Sequence, residues 1–346
     1  MKHFLKNYLS TIFFIFIVYF FYTHIHFYQN FFIKDFYIKI INYHFDTIFI
    51  YKWIIFSYIL LLIPFYYKEE KKSKARIIIE YIIKKNQNIK YKIKKEELLS
   101  ILAWLVKSFF APLMIIWLTT NIVNIANNSY YAIENINQIT NFYNYFNKYL
   151  FFLILWFILF IDIIFFTLWY LLESKKLNNT IKSVDTNIIW WLVVLMCYPP
   201  FNTYTTQIIW WYSSSFPHFN NEYIHLTLNI FLLTLMSIYA RASISLWLKA
   251  SNLTNRWIIT KWPYKYIRHP AYITKNLAWW IWWLPLLLSN IYIWNYKMFF
   301  IVFLSLITWS FIYYLRAITE ENHLNKDKDY LEYKKKVKYK FIPKIY

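Results

Sequence analysis

Glycine is absent from the 346 residues of this chain, cysteine occurs once and arginine occurs five times. Glycine usually makes up about 7% of a protein, so roughly 24 glycines would be expected. The single cysteine, Cys197, excludes an intrachain disulfide, and its apolar surroundings predict a buried thiol. Lysine supplies the rest of the 38 basic residues, so each arginine marks a position of interest.

Tryptophan, in contrast, occurs 18 times and is often doubled, as at 190–191, 210–211, 279–280 and 282–283. Membrane helices normally contain more glycine than soluble helices do, which makes the lack of glycine unexpected. Richness in Ile, Asn, Lys, Tyr and Phe indicates an AT-rich gene. Two interpretations stay open: tryptophans in aromatic belts, or codons that the source organism reads as glycine and that are translated here as tryptophan. The intact mass of the native protein separates them.

The composition is that of a membrane protein. The chain is 59% hydrophobic, whereas soluble domains are usually about 45–50% apolar. Its apolar runs are near 20 residues long, the length that a helix needs to cross about 30 Å of hydrocarbon. We predict an all-α, polytopic transmembrane helical bundle of about eight spans with a C-terminal helical hairpin. The predicted spans are 7–27, 47–67, 99–123, 149–172, 188–204, 222–247, 272–289 and 291–315.

The net charge of +21 is concentrated in particular loops. Segments 68–98, 173–187 and 248–271 are basic, whereas 124–149 contains one lysine. By the positive-inside rule this pattern predicts a multi-pass protein with both termini in the cytoplasm, and the composition favours a bacterial inner membrane. The first span lacks a cleavage site and is expected to stay uncleaved. Attraction to membrane lipids accounts for the charge, and no nucleic-acid partner is expected.

Segment 252–272, NLTNRWIITKWPYKYIRHPAY, lies between two apolar stretches. Pro263 and Pro270 interrupt helix there, because proline fixes φ and lacks an N–H. Non-helical backbone at membrane depth is tolerated only where it is wet or enclosed by protein. The segment is therefore either an interfacial loop anchored at lipid headgroups or a ligand site. Its donors, acceptors and stacking faces are Tyr264, Tyr266, Arg268, His269 and Tyr272.

A second polar cluster, LRAITEENHL at 315–324, follows the last predicted span. On a helix, Arg316, Glu320 and His323 fall near one face. An arginine four residues before a glutamate is the less favourable order for a simple helical ion pair. A guanidinium that grips a carboxylate or phosphate is a better use of Arg316.

The lysine-rich tail after residue 325 contains Tyr330 and Tyr333 at helical spacing, then a basic stretch that ends in Ile342-Pro343. Two interpretations are open for it. It is a basic tail that faces lipid headgroups, or it folds back as a lid over the site.

Together these segments resemble the isoprenylcysteine carboxyl methyltransferase and phospholipid methyltransferase superfamily of integral membrane enzymes. That family has an aromatic Pro-Tyr or its equivalent, then Arg-His-Pro-x-Tyr, a helical hairpin, Arg-x-x-x-Glu-Glu, Tyr-x-x-Tyr and a near-terminal Ile-Pro. The matching residues, in the same order, are Pro263-Tyr264, Arg268-His269-Pro270-Ala271-Tyr272, Arg316 with Glu320-Glu321, Tyr330 with Tyr333, and Ile342-Pro343. The segment WLVVLMCYPPF at 191–201 looks like part of a bacterial branch.

The resemblance implies transfer of a methyl group from S-adenosylmethionine to a lipophilic substrate from the bilayer, with a carboxylate, amine or thiol acceptor, at the membrane–cytosol interface. Arg316 would be the catalytic residue and would meet the substrate's anionic group, with Arg268 and Glu321 also binding substrate. At Trp262 the family usually has glycine, and a tryptophan would crowd a close backbone approach. The cofactor pocket would contain Ile258, Ile259, Tyr264, His269, Pro270, Ala271, Tyr272 and Glu320.

The resemblance also divides the chain. Residues 1–221 are expected to form a scaffold of membrane helices with the basic cytoplasmic loop 68–98. Residues 222–346 are expected to form the methyltransferase-like membrane region with its cytoplasmic cofactor-binding loop and tail. No internal repeat or low-complexity linker marks the division.

The alternative is a non-catalytic membrane protein of the same fold, either transporter-like or a scaffold. Intramembrane ionisable residues usually mark transport pathways. Lys107, Asp162 and Glu222 are few or near span ends, which argues against an ion relay. No metal site is expected, because the histidines are scattered. No G-x-G-x-x-G motif is present even if every tryptophan is read as glycine, which argues against a Rossmann methyltransferase.

Overall fold

The computed structural model describes residues 2–139, 141–174, 176–209, 219–249 and 252–343, and it is mostly helical. Two short two-stranded sheets accompany the helices: β1 (Asp35–Ile38) with β2 (Tyr43–Asp46), and β3 (Ser183–Val184) with β4 (Thr254–Asn255). The helices are α1 (Lys2–His24), α2 (His26–Phe32), α3 (Thr47–Tyr67), α4 (Lys74–Gln87), α5 (Lys95–Glu134), α6 (Phe142–Tyr145), α7 (Phe151–Leu171), α8 (Ile188–Leu195), α9 (Phe201–Ile208), α10 (Glu222–Leu246), α11 (Pro270–Tyr292), α12 (Tyr296–Leu324) and α13 (Lys328–Lys336).

Within the described residues, six helices are long and apolar enough to cross a membrane. They are α1, α3, α5, the helical stretch Phe142–Leu171, α10 and α12. Each overlaps one of the predicted spans. An apolar run near 20 residues is long enough to cross the hydrocarbon, and a helix satisfies all backbone hydrogen bonds within such a segment. The prediction of a mostly helical membrane protein is confirmed at this level.

The two remaining predicted spans are not among these six helices. Residues 188–204 do not form one helix: α8 and α9 have eight residues each, about 12 Å of helix, and Pro199-Pro200 separates them. Proline lacks the N–H that a continuous helix needs there. Residues 272–289 do lie in one helix, α11, which has 23 residues but is not among the six. Four tryptophans and Lys275 make it less apolar than an aliphatic span.

The chain divides into two compact units. Unit 1 contains Met1–Tyr37 with Asn42–Ile116, and unit 2 contains Ile38–Ile41 with Trp117–Tyr346. The boundary between these units falls inside α5, and the predicted functional division at residue 221 stays a prediction. Helix α7 buries Phe151 and Leu155 against Leu232 and Leu235 of α10, so helices that precede residue 222 share the core of the site.

Unit 1 is held by an aromatic cluster in which Tyr22, Phe32, Tyr51 and Ile116 are buried together. The lysine-rich loop that follows α3 contains α4. Ser73 caps this helix by accepting a hydrogen bond from the Arg76 N–H at 3.1 Å.

Within unit 2, α11 and α12 pack side by side and run in opposite directions. Their shared core contains Trp283, Leu287, Val302 and Leu306, all buried. Residues later in α11 meet residues earlier in α12, so the N-terminal end of α11 lies beside the C-terminal end of α12. These two ends carry the Arg-His-Pro motif and the Glu-Glu pair.

Two tryptophans occupy backbone conformations that favour glycine. Trp294 has φ 58° and follows α11 in a Schellman arrangement, with the Asn295 N–H bonded to Asn290 O and the Trp294 N–H bonded to Ile291 O. Trp247, at the end of α10, has φ 49° and ψ −135°. A Cβ atom is strained in this half of the φ range, because it comes too close to the following carbonyl oxygen. Both positions are consistent with the recoded-glycine interpretation, which the native mass still has to decide.

Trp294→Gly is expected to stabilise the protein by about 1 kcal/mol, because glycine removes the Cβ strain and the exposed indole contributes little packing. The measurement is the midpoint of thermal unfolding in detergent, with Trp294→Ala as the matched control that keeps the strained φ. Equal midpoints for the glycine and alanine variants would show that positive φ is not a source of strain here.

Candidate functional site

A cavity of about 180 Å³ lies within unit 2. Its walls come from α10, from the non-helical segment before α11, from the facing ends of α11 and α12, and from α13. The predicted site residues that line it are Ile258, Ile259, Tyr264, Arg268, His269, Ala271, Tyr272, Arg316 and Glu320. Pro270 and Glu321 lie next to these residues in the chain but are not among those that line the cavity.

Arg256 attaches the non-helical segment to the backbone of residues 169 and 179. Its guanidinium is buried and donates hydrogen bonds to Asn179 O at 2.7 Å and to Trp169 O at 2.9 Å. Antiparallel pairing of β4 with β3 adds a second attachment, with Ser183 opposite Asn255. A buried cation bonded to carbonyl groups holds this backbone in place, so the next residues can line the cavity.

Pro270 occupies the first turn of α11, where the missing N–H costs nothing, and this places His269 at the helix N-cap. The His269 ring stacks on the Tyr272 ring at 5.3 Å, and its Nε2 donates to Glu321 Oε1 at 3.0 Å.

Tyr264 lies in the non-helical segment that precedes α11. Burial raises the pKa of Tyr264 well above its ordinary value, so its hydroxyl stays protonated.

Because α11 and α12 run in opposite directions, their polar side chains meet in successive layers. In the first layer His269 meets Glu321, and in the second the Tyr272 hydroxyl donates to Glu320 Oε2 at 2.7 Å. One helical turn deeper, Arg316 follows on α12. The layers below contain apolar and aromatic residues.

Arg316 is 4% exposed and its side chain is surrounded by aromatic rings. Its Nη2 donates to Asn252 Oδ1 at 3.0 Å, and its Cζ lies 4.9 Å from the Tyr313 ring centroid and 5.2 Å from that of Tyr272. Among the described residues no carboxylate lies within ion-pair distance of Arg316, so the alternative of an Arg316–Glu320 ion pair is not formed. Its Nε has no hydrogen-bond partner in that same set of residues.

Arg268 and Glu321 form a buried ion pair, with Arg268 Nε 2.7 Å from Glu321 Oε1. Arg268 Nη1 also donates to Val337 O at 2.8 Å and Lys338 O at 2.6 Å. Lys340 Nζ approaches the same carboxylate at 3.5 Å. These contacts engage Arg268 and Glu321 with the tail, which favours a positioning role over the substrate contact predicted from the sequence.

The tail folds back over the non-helical segment. Tyr330 and Tyr333 of α13 are buried against Ile258 and Tyr264, and the Tyr333 hydroxyl donates to Tyr264 O at 2.7 Å. Backbone bonds from the Arg268 N–H to Tyr339 O and from the His269 N–H to Lys340 O continue the attachment. The tail therefore packs over the cavity, as the lid interpretation predicted, with Tyr330 and Tyr333 among the residues that line it.

Asp327 anchors the start of α13. Burial alone would raise the pKa of Asp327, but hydrogen bonds from Asn255 and from the Asp329 N–H, together with Lys182, lower that pKa below its ordinary value. The carboxylate therefore stays ionised and links α13 to β4. Asn255 Nδ2 donates to Asp327 Oδ2 at 2.7 Å.

His323 does not join Arg316 and Glu320. It is buried instead beside Asp185, whose Oδ2 lies 3.4 Å from Nδ1, and against the Trp190 ring at 5.1 Å. Helical spacing places the three residues near one face. At the end of the helix, however, α8 and β3 pack against His323, and Trp190 and Ser183 contact its imidazole.

Trp262 does not crowd the cavity. Its side chain is 40% exposed, with the Arg241 guanidinium 5.9 Å from its ring centroid, and its carbonyl accepts a bond from Ser245. Trp262 is not among the residues that line the cavity.

Sequence reasoning missed several cavity residues. Lys275, Tyr198, Tyr239 and Asn252 line the cavity although they lie in apolar or unremarked stretches. Asp162, noted only as an isolated charge, is buried in the middle of α7. For Lys275 and Asp162 a sequence signal was present. Both are ionisable residues inside apolar runs, where burial of a charge is energetically costly and such residues are usually functional.

Comparison with known proteins adds no assignment. No family model, curated protein or solved structure matches this chain. The cavity is therefore the basis for inferring function. It has aromatic walls, the Glu320 carboxylate at its outer end and the Arg316 guanidinium at its inner end.

Proposed function

We propose that unit 2 is an S-adenosylmethionine-dependent membrane methyltransferase that acts on a lipophilic acceptor at the membrane–cytosol interface, related to the isoprenylcysteine carboxyl and phospholipid methyltransferases. One observation carries the proposal. The proline-broken segment before α11 and the cytoplasmic end of α12, about fifty residues apart in sequence, line a single cavity with their polar side chains.

The outer part of this cavity has the chemistry that a sulfonium cofactor requires. Glu320 is a partly exposed carboxylate, and tyrosine rings attract cations through their faces. Tyr264 offers a protonated hydroxyl, and Ile258 and Ile259 offer an apolar wall for a nucleoside base. When bound, S-adenosylmethionine supplies an electrophilic methyl group.

The residues present would promote transfer mainly by alignment. An in-line displacement requires the acceptor atom, the methyl carbon and the sulfur to be collinear and shielded from water. Tyr272 and Glu320, bonded to each other, hold the outer layer rigid, while Arg316 holds an anionic group of the acceptor one turn deeper. The lid of α13 excludes water from the outer side.

For the topology we propose eight crossings with both termini in the cytoplasm of a bacterial inner membrane. The α11–α12 pair would form the C-terminal membrane hairpin. The α8–α9 region would be a broken crossing, which lipid tolerates where protein encloses the interrupted backbone. Packing of Val193 with Trp309 and Ile312 of α12 supports such enclosure.

The proposal is tested with purified protein, methyl-labelled S-adenosylmethionine and total membrane lipids. We expect label in an extractable lipid product and measurable binding of S-adenosylhomocysteine. A protein that binds no S-adenosylhomocysteine would instead favour the transporter-like alternative, for which the buried Asp162 and the cavity-lining Lys275 are suitable residues.

Glu320→Gln is expected to weaken S-adenosylhomocysteine binding about tenfold, because one charge-assisted hydrogen bond is lost. Isothermal titration in detergent measures it. Glu332→Gln, an exposed glutamate on α13, is the matched control and should bind as the parent chain does. Equal affinity for both variants would remove Glu320 from the cofactor pocket.

A further inference from the structure

Lys275 places a second cation at the inner end of the cavity. It lies on α11 one turn beyond Tyr272, in the layer that Arg316 occupies on α12. Its Nζ is 5.6 Å from the Tyr313 ring centroid, and Arg316 Cζ is 4.9 Å from the same centroid. Both side chains line the cavity. Two cations from facing helices therefore share one aromatic ring.

The amine of Lys275 is enclosed by aromatic faces. The Tyr239 ring lies 5.6 Å from Nζ and the Trp279 ring 5.4 Å. Within the described parts of the chain, no side chain or carbonyl accepts a hydrogen bond from this amine. Lys275 is half-buried. An ammonium group in a cavity without an acceptor is a position that a bound anionic group would satisfy.

Asp162 of α7 is a carboxylate that acts electrostatically on Lys275. Asp162 is 2% exposed, and its Oδ1 lacks a hydrogen-bond partner in the described chain. Lys275 and Arg316 make the inner end of the cavity positively charged, and both line it. An anionic group would complement that charge.

We propose that Lys275 and Arg316 together hold one monoanionic group of the lipophilic acceptor, a carboxylate or a phosphodiester. This rests on the proposed function for the methyl transfer itself, but the anion site stands on its own contacts. The planar fork of Arg316 suits two oxygens of the group, and Lys275 supplies a point charge from the opposite helix. A long-chain amine with no anionic group is disfavoured by the same two cations.

The test measures equilibrium binding of radiolabelled oleate, oleyl alcohol and dioleoyl phosphatidylglycerol to the purified full-length protein in dodecyl maltoside. Oleate and oleyl alcohol have the same chain and differ in charge. We expect at least one anionic probe to bind about tenfold more tightly than the alcohol. In Lys275→Met that preference should fall about tenfold, and in Lys275→Arg it should persist.

Lys297→Met, which removes an exposed lysine at the start of α12, is the matched control and should keep the preference. Thermal unfolding of each variant shows whether it is folded. A Lys275 effect on oleate alone assigns the site to a carboxylate, and an effect on phosphatidylglycerol alone assigns it to a phosphodiester headgroup. Equal binding of oleate, phosphatidylglycerol and oleyl alcohol, or an unchanged preference in folded Lys275→Met, overturns the proposal.

The two proposals fail separately. Absence of S-adenosylhomocysteine binding in the parent chain would remove methyl transfer and leave the anion result intact. Loss of the anion preference with intact cofactor binding would leave methyl transfer and remove this site.

Discussion

Arg316→Met is expected to lower methyl transfer about a hundredfold or more, because an anionic acceptor group would lose two charge-assisted hydrogen bonds. Methionine keeps most of the side-chain volume against Tyr272 and Tyr313, so the aromatic walls should stay in place. Arg316 has no carboxylate partner among the described residues, so its removal does not strand an opposite charge in an ion pair. The assay is label transfer from S-adenosylmethionine to membrane lipid.

The same variant should bind S-adenosylhomocysteine within about threefold of the parent chain, because the proposed cofactor contacts, Glu320 and Tyr264, lie one layer further out. Arg316→Lys is the informative comparison. It keeps the charge but not the planar fork, and it should recover part of the transfer rate. Full activity in the methionine variant would refute the role of Arg316, whatever the cofactor affinity.

Glu321→Ala is expected to detach the tail and destabilise the protein by about 3–5 kcal/mol, because breaking a buried ion pair leaves its partner uncompensated. Arg268, His269 and Lys340 all approach this carboxylate, and its removal would leave a cluster of positive groups. The backbone around Lys338 and Lys340 would then lose its attachment to Arg268 and His269 and become cleavable. Limited trypsin digestion and thermal unfolding in detergent measure the two consequences.

Glu332→Ala is the control for this experiment, because it removes an exposed glutamate from the same tail. It should leave the rate of cleavage and the unfolding midpoint unchanged. Glu321→Gln keeps a hydrogen-bond acceptor for Arg268 and should give an intermediate result. If Glu321→Ala and Glu332→Ala are cleaved at the same rate, the Arg268–Glu321 pair does not hold the tail.

Much of the helical layout followed from local properties of the chain. Apolar runs near 20 residues located α1, α3, α7 and α10 closely, since hydropathy and run length are carried by each segment alone. At 188–204 the apolar pattern was continuous, but Pro199-Pro200 divides the segment into two helices. There proline's missing N–H outweighed hydropathy.

The site was predictable only in part. Residues in the Arg-His-Pro and Glu-Glu motifs carried enough pattern to be named in advance. Lys275 and Asp162 did not, because a single charge in an apolar run has no neighbours in sequence that indicate its role. The spacing that places His323 near the face of Arg316 and Glu320 did not indicate that Asp185 and Trp190 contact it, since helical spacing defines a face but not which element packs on it.

By itself the sequence determined that this is a helical membrane protein whose last hundred residues contain a proline-broken polar segment. Hydropathy and the proline ring act on the local backbone, so both conclusions could be reached residue by residue. Only the tertiary structure decided that Arg316, Lys275 and Glu320 line the same cavity and that Arg268 and Glu321 hold the tail. These outcomes depend on which helices pack together and in which direction, and packing is a property of pairs of segments.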